Sequence, residues 1–190
     1  KEGYGLTRRA IKAIADEGAS LIVTVDCGSS AISEVDYARS LGLDMVVTDH
    51  HNPCPDGMPD CLFINPKRRD SPYPFPHLSG CGVAFKLSQA IERLLEQRAD
   101  ERFTRQDLNR LLDLVAISTV ADVVPLLDEN RTLVKYGLEM INRRERPGLD
   151  ALLQALDFRE KVIEAEHIAY LIAPNINALG RMQSADMGAE

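Results

Sequence analysis

The chain has 190 residues, enough for one sizeable α/β domain or one with a small helical addition, and its 45% hydrophobic and 27% charged residues exclude wholesale disorder. No apolar run approaches the roughly 20 residues that cross a bilayer, and no secretory leader pattern opens the sequence, so a cytoplasmic protein without a membrane partner is expected. A net charge of −7 argues against holding nucleic acid by bulk charge alone, although Lys67, Arg68, Arg69 and Arg143, Arg144, Arg146 form local basic patches or solvated loops.

In chain order, Leu6 to Glu17 has apolar residues at helical spacing, with Gly18 as its stop. Leu21 to Val25 is rich in β-branched residues with no polar face, which predicts a strand buried on both sides of a parallel sheet. A helix over 31–41 and a second buried strand, Asp44 to Thr48, complete a βαβ unit with a right-handed crossover. Proline and glycine then crowd around a short apolar run, Cys61 to Ile64, read as loop, short strand, loop. From Ser79 onward the spacing predicts helices near 80–98, 104–120, 130–144, 148–156 and 165–173, and "SADMGAE" at the end looks like the start of another. The expected architecture is an α/β fold: a parallel sheet flanked by helices over 1–78, followed by a mainly helical part over 79–190. Cys27, Cys54, Cys61 and Cys81 form no CxxC pair, which argues for reduced thiols and against a zinc knuckle.

In an open parallel sheet, ligands bind beyond the carboxyl ends of the strands, because loop amides and side chains converge there. Asp26 follows the first strand, and Asp49, His50 and His51 follow the second. Adjacent parallel strands lie about 5 Å apart, so these side chains can meet. Carboxylates with neutral imidazoles suit manganese, magnesium or zinc, and phosphoester hydrolysis is a natural use of such a site. The alternative is an aspartate capping a turn with two histidines on the surface. Asp122, in the apolar stretch "STVADVVPL", should need compensation by a metal ion, a helix cap or an arginine, while Asp113 should be half-exposed. Gly80 and Gly82 precede a helix whose first amides could cradle an anion, or they let that helix pack closely, with Lys86 facing phosphate or solvent. "APNINALGRM" carries Asn175, Asn177 and Arg181, groups that bind oxyanions or base edges, unless the segment is a plain loop between helices.

Taken in order, "EGYGL", "TVDCGSS", "VTDHHNP", "INPKRRDSPYPFPHLSGCGVAFKL", "STVADVVPLLDENRTLVKYGLEMIN" and "PNINALGRM" resemble the DHH phosphoesterase superfamily and, within it, the RecJ family of bacterial exonucleases. The series spans nearly the whole chain and is far more specific than an isolated Asp-His-His. The resemblance implies a two-metal phosphodiesterase using Mn2+ or Mg2+, which removes nucleotides from the 5′ end of single-stranded DNA in repair and recombination. Carried over by residue, Asp26, His50 and Asp122 would be metal ligands, His51 would face the phosphate or a metal, and Asp49 would orient His50. Asn177, Arg181, Gly80 and Gly82 would lie near the substrate strand. Single-stranded DNA is the expected partner, with a single-strand-binding protein and a helicase implied by resemblance alone. The family's first metal motif ("DxDG") and its DHH-associated domain are absent from the sequence, and Ser118 stands where glycine is commoner. The chain is therefore expected to be a central fragment with little activity of its own. A pyrophosphatase, a cyclic-dinucleotide phosphodiesterase and a non-catalytic scaffold are the alternatives.

Overall fold

The computed structural model describes residues 5–100 and 102–182, with side chains through 178. The expected terminal helix over "SADMGAE", the start of "EGYGL" and the side chain of Arg181 lie outside the described residues. Two compact units divide the chain at residues 1–87 and 88–190. The change of texture read near 79 falls slightly earlier, because the first turns of the helix that begins at Gly80 belong with the sheet.

In the first unit, α1 (Arg8–Asp16) starts at Thr7, whose hydroxyl accepts the Ala10 N–H at 3.2 Å. Strand β1 (Leu21–Val25), α2 (Ile32–Ser40), β2 (Asp44–Thr48) and the short β3 (Leu62–Ile64) follow, within a residue or two of expectation. The strands are parallel in the order β1-β2-β3. Val25 pairs with Thr48 and Thr48 with Ile64, so all three strands end level. Asp26, Asp49 and Asn65, each the next residue along, therefore share one edge. Ile11 and Ala38 of the two helices pack on Ile22, Met45, Val47 and Phe63.

Burial on both faces of the strands, expected from their composition, does not hold for β1. Ile22 and Thr24 are buried, whereas Leu21, Val23 and Val25 are 51%, 46% and 56% exposed. The reason is that α1 and α2 pack on the same side of the sheet, the side carrying Ile22 and Val47.

Helix α3 (Gly80–Gln97) leads from the first unit into the second. The second unit contains α4 (Arg105–Asn109), α5 (Leu112–Ala121), α6 (Asp128–Asn142), α7 (Pro147–Ala155), the short α8 (Ala165–His167), a π-helical turn (Ile168–Ile172) and α9 (Ala173–Met182). The single helix expected over 104–120 is broken at Arg110 and Leu111. There the Arg110 carbonyl accepts from the Arg146 guanidinium at 2.9 Å and the Leu114 N–H donates to Asp113 at 2.7 Å, which occupies groups that would have joined the two helices. Asp113 is 4% exposed rather than half-exposed, and its carboxylate receives two bonds from Arg146, at 2.5 and 2.9 Å. One arginine of the second basic patch thus neutralises a buried acid instead of facing solvent.

The helix expected to end near 173 continues through "APNINALGRM". Pro174 has no N–H to donate, and just before it the hydrogen bonding widens so that the Ala173 N–H reaches the Ile168 carbonyl. Asn175 donates its amide to the Leu171 carbonyl at 2.8 Å, so this candidate oxyanion binder serves the helix itself. The core of the second unit gathers Ala116, Val134, Ile141, Leu153, Ile163, Ile168 and Ile172.

Helices α5 and α6 approach closely at Gly137, where an added methyl would collide with the Leu112 carbonyl and the Ala116 side chain. Gly137→Ala should therefore cost about 2 kcal/mol through overpacking, in spite of alanine's better helix propensity. Denaturant unfolding measures this, and an unchanged or raised midpoint would contradict so close a crossing.

Candidate metal centre

The level strand ends place four potential ligands together. One donor atom from each of Asp26, Asp49, His50 and His51 can be chosen so that all lie within 4.8 Å of one another. Asp26, directly after β1, adopts a left-handed backbone (φ 61°), which aspartate tolerates better than most residues. The turn that follows is closed by the Thr24 hydroxyl donating to the Cys27 carbonyl at 2.8 Å. It needs glycine at 28, where φ is 114° and a Cβ would lie 2.8 Å from Val47 Cγ1.

Asp49 is 1% exposed, and its carboxylate is surrounded by donors. Oδ2 accepts the Ser29 N–H at 2.9 Å, and Oδ1 accepts the N–H groups of His50 at 2.7 Å and His51 at 3.2 Å. Oδ1 also meets His51 Nδ1 at 2.7 Å. Burial by itself would raise the pKa of this acid, but the hydrogen bonds from Ser29 and His51 outweigh it and hold the group at about 2. The expectation that Asp49 orients the His50 ring is corrected: it orients the His51 ring, since the Asp49 carboxylate meets His50 only at the backbone.

The His50 ring is fixed from the other side. Its Nδ1 lies 3.1 Å from the Leu78 carbonyl, an acceptor only, so Nδ1 carries the proton. Nε2 then faces Asp26 Oδ1 at 3.1 Å. Two electron-rich atoms at this separation require a shared cation, either a proton or a metal ion. The spacing is close to the roughly 3 Å between adjacent ligands of an octahedral ion with bonds of about 2.1 Å. His50 is buried and His51 half-exposed, so one ring is enclosed while the other reaches solvent, its Nδ1 held by Asp49 and its Nε2 directed away from that carboxylate.

Three supporting residues escaped the sequence reading. Asn65, at the end of β3, donates to Ser29 Oγ at 2.9 Å and to the His51 carbonyl at 2.8 Å, tying the loops after all three strands together. Ser29 and Leu78 complete the support. Polar residues at strand ends ("GSS", "INP") were the available signal for two of them, but Leu78 acts through its backbone and left none.

Gly80, expected near substrate, lies directly under Asp26, and a Cβ there would collide with the carboxylate. Gly82 donates its N–H to Ser79 Oγ at 3.1 Å, so one of the amides proposed to cradle an anion is already capped. Lys86 Nζ lies 6.0 Å from the centroid of the Tyr73 ring. Asp122 ends α5 in an exposed position, so the apolar burial that singled it out in the sequence is corrected: its neighbour Val123 is itself 87% exposed. Asn177 is exposed on α9.

Comparison with known proteins gives a consistent result. The profile of the DHH family, N-terminal domain, matches residues 4–119. The chain is 43% identical over 187 residues to the single-stranded-DNA-specific exonuclease RecJ of Bacillus subtilis, covering 98% of this chain and 22% of that protein. It is 41% identical over 193 residues to RecJ of Escherichia coli, covering 99% and 33%. Among solved structures, an exonuclease RecJ bound to manganese aligns with a TM-score of 0.81 at 33% identity, over 99% of this chain and 45% of that one. RecJ of Thermus thermophilus in complex with Mn2+ gives 0.77 at 32% identity, over 96% and 26%. The chain thus spans from about a fifth to a third of the length of these curated relatives.

Two substitutions test the geometry. Asp49→Asn removes a charge whose pKa lies below the ordinary carboxylate value, so the stabilisation it gives is full above about pH 4 and lost as pH falls through about 2. The variant should lose about 2 kcal/mol at neutral pH and show a flatter acid limb, and an unchanged acid limb in a pH series of denaturant unfolding would refute the assignment. Gly80→Ala should displace the Asp26 carboxylate and weaken divalent-metal binding roughly 10-fold, as calorimetric titration would show, and it should also cost stability because Asp26 Cβ lies in the way.

Proposed function

Because the chain belongs to the DHH family, we propose that it contributes a metal centre to a single-stranded-DNA-specific 5′-to-3′ exonuclease, a manganese- or magnesium-dependent phosphodiester hydrolase. The observation that carries the reading is the Asp26 Oδ1 to His50 Nε2 approach of 3.1 Å, with the His50 proton fixed on the opposite nitrogen by Leu78. The donor set fits a hard or borderline divalent ion, with one carboxylate and one neutral imidazole in place and a second imidazole, His51, at the solvent side.

Asp26 and His50 would hold the metal. When bound, it would supply Lewis-acid polarisation of a phosphoryl oxygen and activation of water. His51, oriented by Asp49 and half-exposed, would be the imidazole that donates to or accepts from a phosphate oxygen or an attacking water. Asp49 itself stays ionised, and its role is to fix the tautomer of His51 and brace the loop after β2. Asp122 as a further ligand, and Asn177, Arg181, Gly80 and Gly82 near the strand, belong to the proposal through sequence resemblance alone. A cytoplasmic setting in DNA repair and recombination, with a single-strand-binding protein and a helicase as partners, has the same basis.

Manganese titration of the chain and of His50→Ala and Asp26→Asn tests the centre. Both variants should bind at least roughly 10-fold more weakly, and equal binding would overturn it. Prolonged incubation with manganese should slowly shorten a single-stranded oligonucleotide from its 5′ end while leaving a blunt duplex, pyrophosphate and a cyclic dinucleotide intact. Turnover of either small substrate in place of the oligonucleotide would reassign the substrate class.

A further inference from the structure

Of the basic residues of the second unit the function proposed above draws on Arg181 alone, yet six others surround a trough of about 910 Å³. Its walls carry six cationic side chains: Arg131, Lys135 and Arg143 from α6 and its end, Arg144 just beyond, and Arg159 and Lys161 from the segment after α7. Only two carboxylates, Glu139 and Glu160, line it, in a chain whose net charge is −7. The floor is apolar, with Val134 and Leu138.

These cations differ in what they already do. Arg144 is structural: one guanidinium nitrogen donates to the Phe158 carbonyl at 2.6 Å and the Lys161 carbonyl at 3.0 Å, which fixes the second wall. Arg159 reaches Gln154 at 3.3 Å, and Lys161 lies 4.5 Å from the Phe158 ring centroid. Arg131, Lys135 and Arg143 are exposed, and among the described residues none of their side chains makes a hydrogen bond or ion pair, Lys135 Nζ lying 5.4 Å from the ring centroid of its neighbour Tyr136. At 1.5 Å per residue they extend over about 18 Å of helix, a track rather than a point. Concentrating positive charge along such a track, offset there only by Glu139 and Glu160, is unfavourable by self-repulsion, and it is relieved by a ligand carrying several negative charges in series.

We infer that this trough binds the sugar–phosphate backbone of single-stranded DNA, as a site that shares no residue with the metal cluster. The inference rests on the function proposed above for its choice of polyanion. Guanidinium forks at 131 and 143 match phosphate oxygens, the Lys135 ammonium supplies a point charge between them, and the apolar floor receives sugar and base surface. Contacts of this kind give affinity without sequence preference and fall away with salt.

The test uses fluorescence anisotropy of a labelled oligothymidylate of about 20 nucleotides, with EDTA present so that the metal centre contributes nothing, over a salt series. The Arg131→Gln, Lys135→Gln, Arg143→Gln triple variant should bind roughly 50-fold more weakly near 0.15 M salt, and its log–log salt slope should fall by about 2. The three single variants, each expected to reduce the slope by about 0.7, keep the test decisive if the triple variant's thermal melt shows misfolding. Unchanged affinity and slope in the variants overturn the inference. So does binding of an oligoglutamate peptide that oligothymidylate fails to displace, which would identify the trough as a site for an acidic protein segment. Manganese-dependent hydrolysis of a 5′-phosphorylated thymidine dinucleotide, too short to fill the track, is measured alongside. If the dinucleotide is cleaved by wild type and variants alike while the oligonucleotide results are negative, the trough fails and the proposed function stands; if it is not cleaved and manganese titration also finds no site that depends on Asp26 and His50, the proposed function is what fails.

Discussion

A single buried carboxylate organises the edge on which the candidate chemistry depends. Asp49 follows a strand whose neighbours end at the same level, and it is closed off from water, so its charge has to be met by protein donors. Those donors come from the loop after β1, through Ser29, and from the two histidines next in sequence. Asn65, after β3, then bonds both Ser29 and the His51 backbone. Loops that would otherwise be independent become one connected polar network, and a fully satisfied network in a low-dielectric setting is rigid. Rigidity suits the proposed metal centre, because such a centre tolerates little positional error in its ligands.

The two histidines are adjacent yet differently used. His50 is anchored by a backbone carbonyl and turned inward to Asp26, whereas His51 is anchored by a carboxylate and reaches solvent. The asymmetry fits the proposed division between holding a cation and meeting what arrives from outside. It also explains why glycine stands at 80: Asp26, in its left-handed conformation, carries its carboxylate over the first residue of α3, where a side chain would displace it.

Much of this was legible in the sequence. The β-branched runs and glycine stops predicted β1, β2 and the intervening helix almost to the residue, and the βαβ spacing put Asp26 and the Asp-His-His triplet at one sheet edge. Less legible was anything governed by contacts between distant residues. Asp113 looked half-exposed because helical spacing cannot show that Arg146, 33 positions later, will cover it. Asp122 looked buried because its neighbours are apolar, but the end of α5 is exposed. "APNINALGRM" read as a binding segment or a plain loop beyond a helix ending near 173, yet a π-helical turn and the Asn175 amide carry the helix through.

By itself, then, the sequence determined the strands and the helix between the first two, their parallel arrangement, the superfamily resemblance and which polar residues gather at the sheet edge, since these rest on periodicity, chain punctuation and short ordered motifs. Only the tertiary structure decided which histidine Asp49 orients, which nitrogen of His50 holds the proton, and which arginines are already engaged. Each of these depends on a hydrogen-bond partner contributed by residues not adjacent in the chain or by a backbone carbonyl, and side-chain identity along a sequence does not encode where a carbonyl will point.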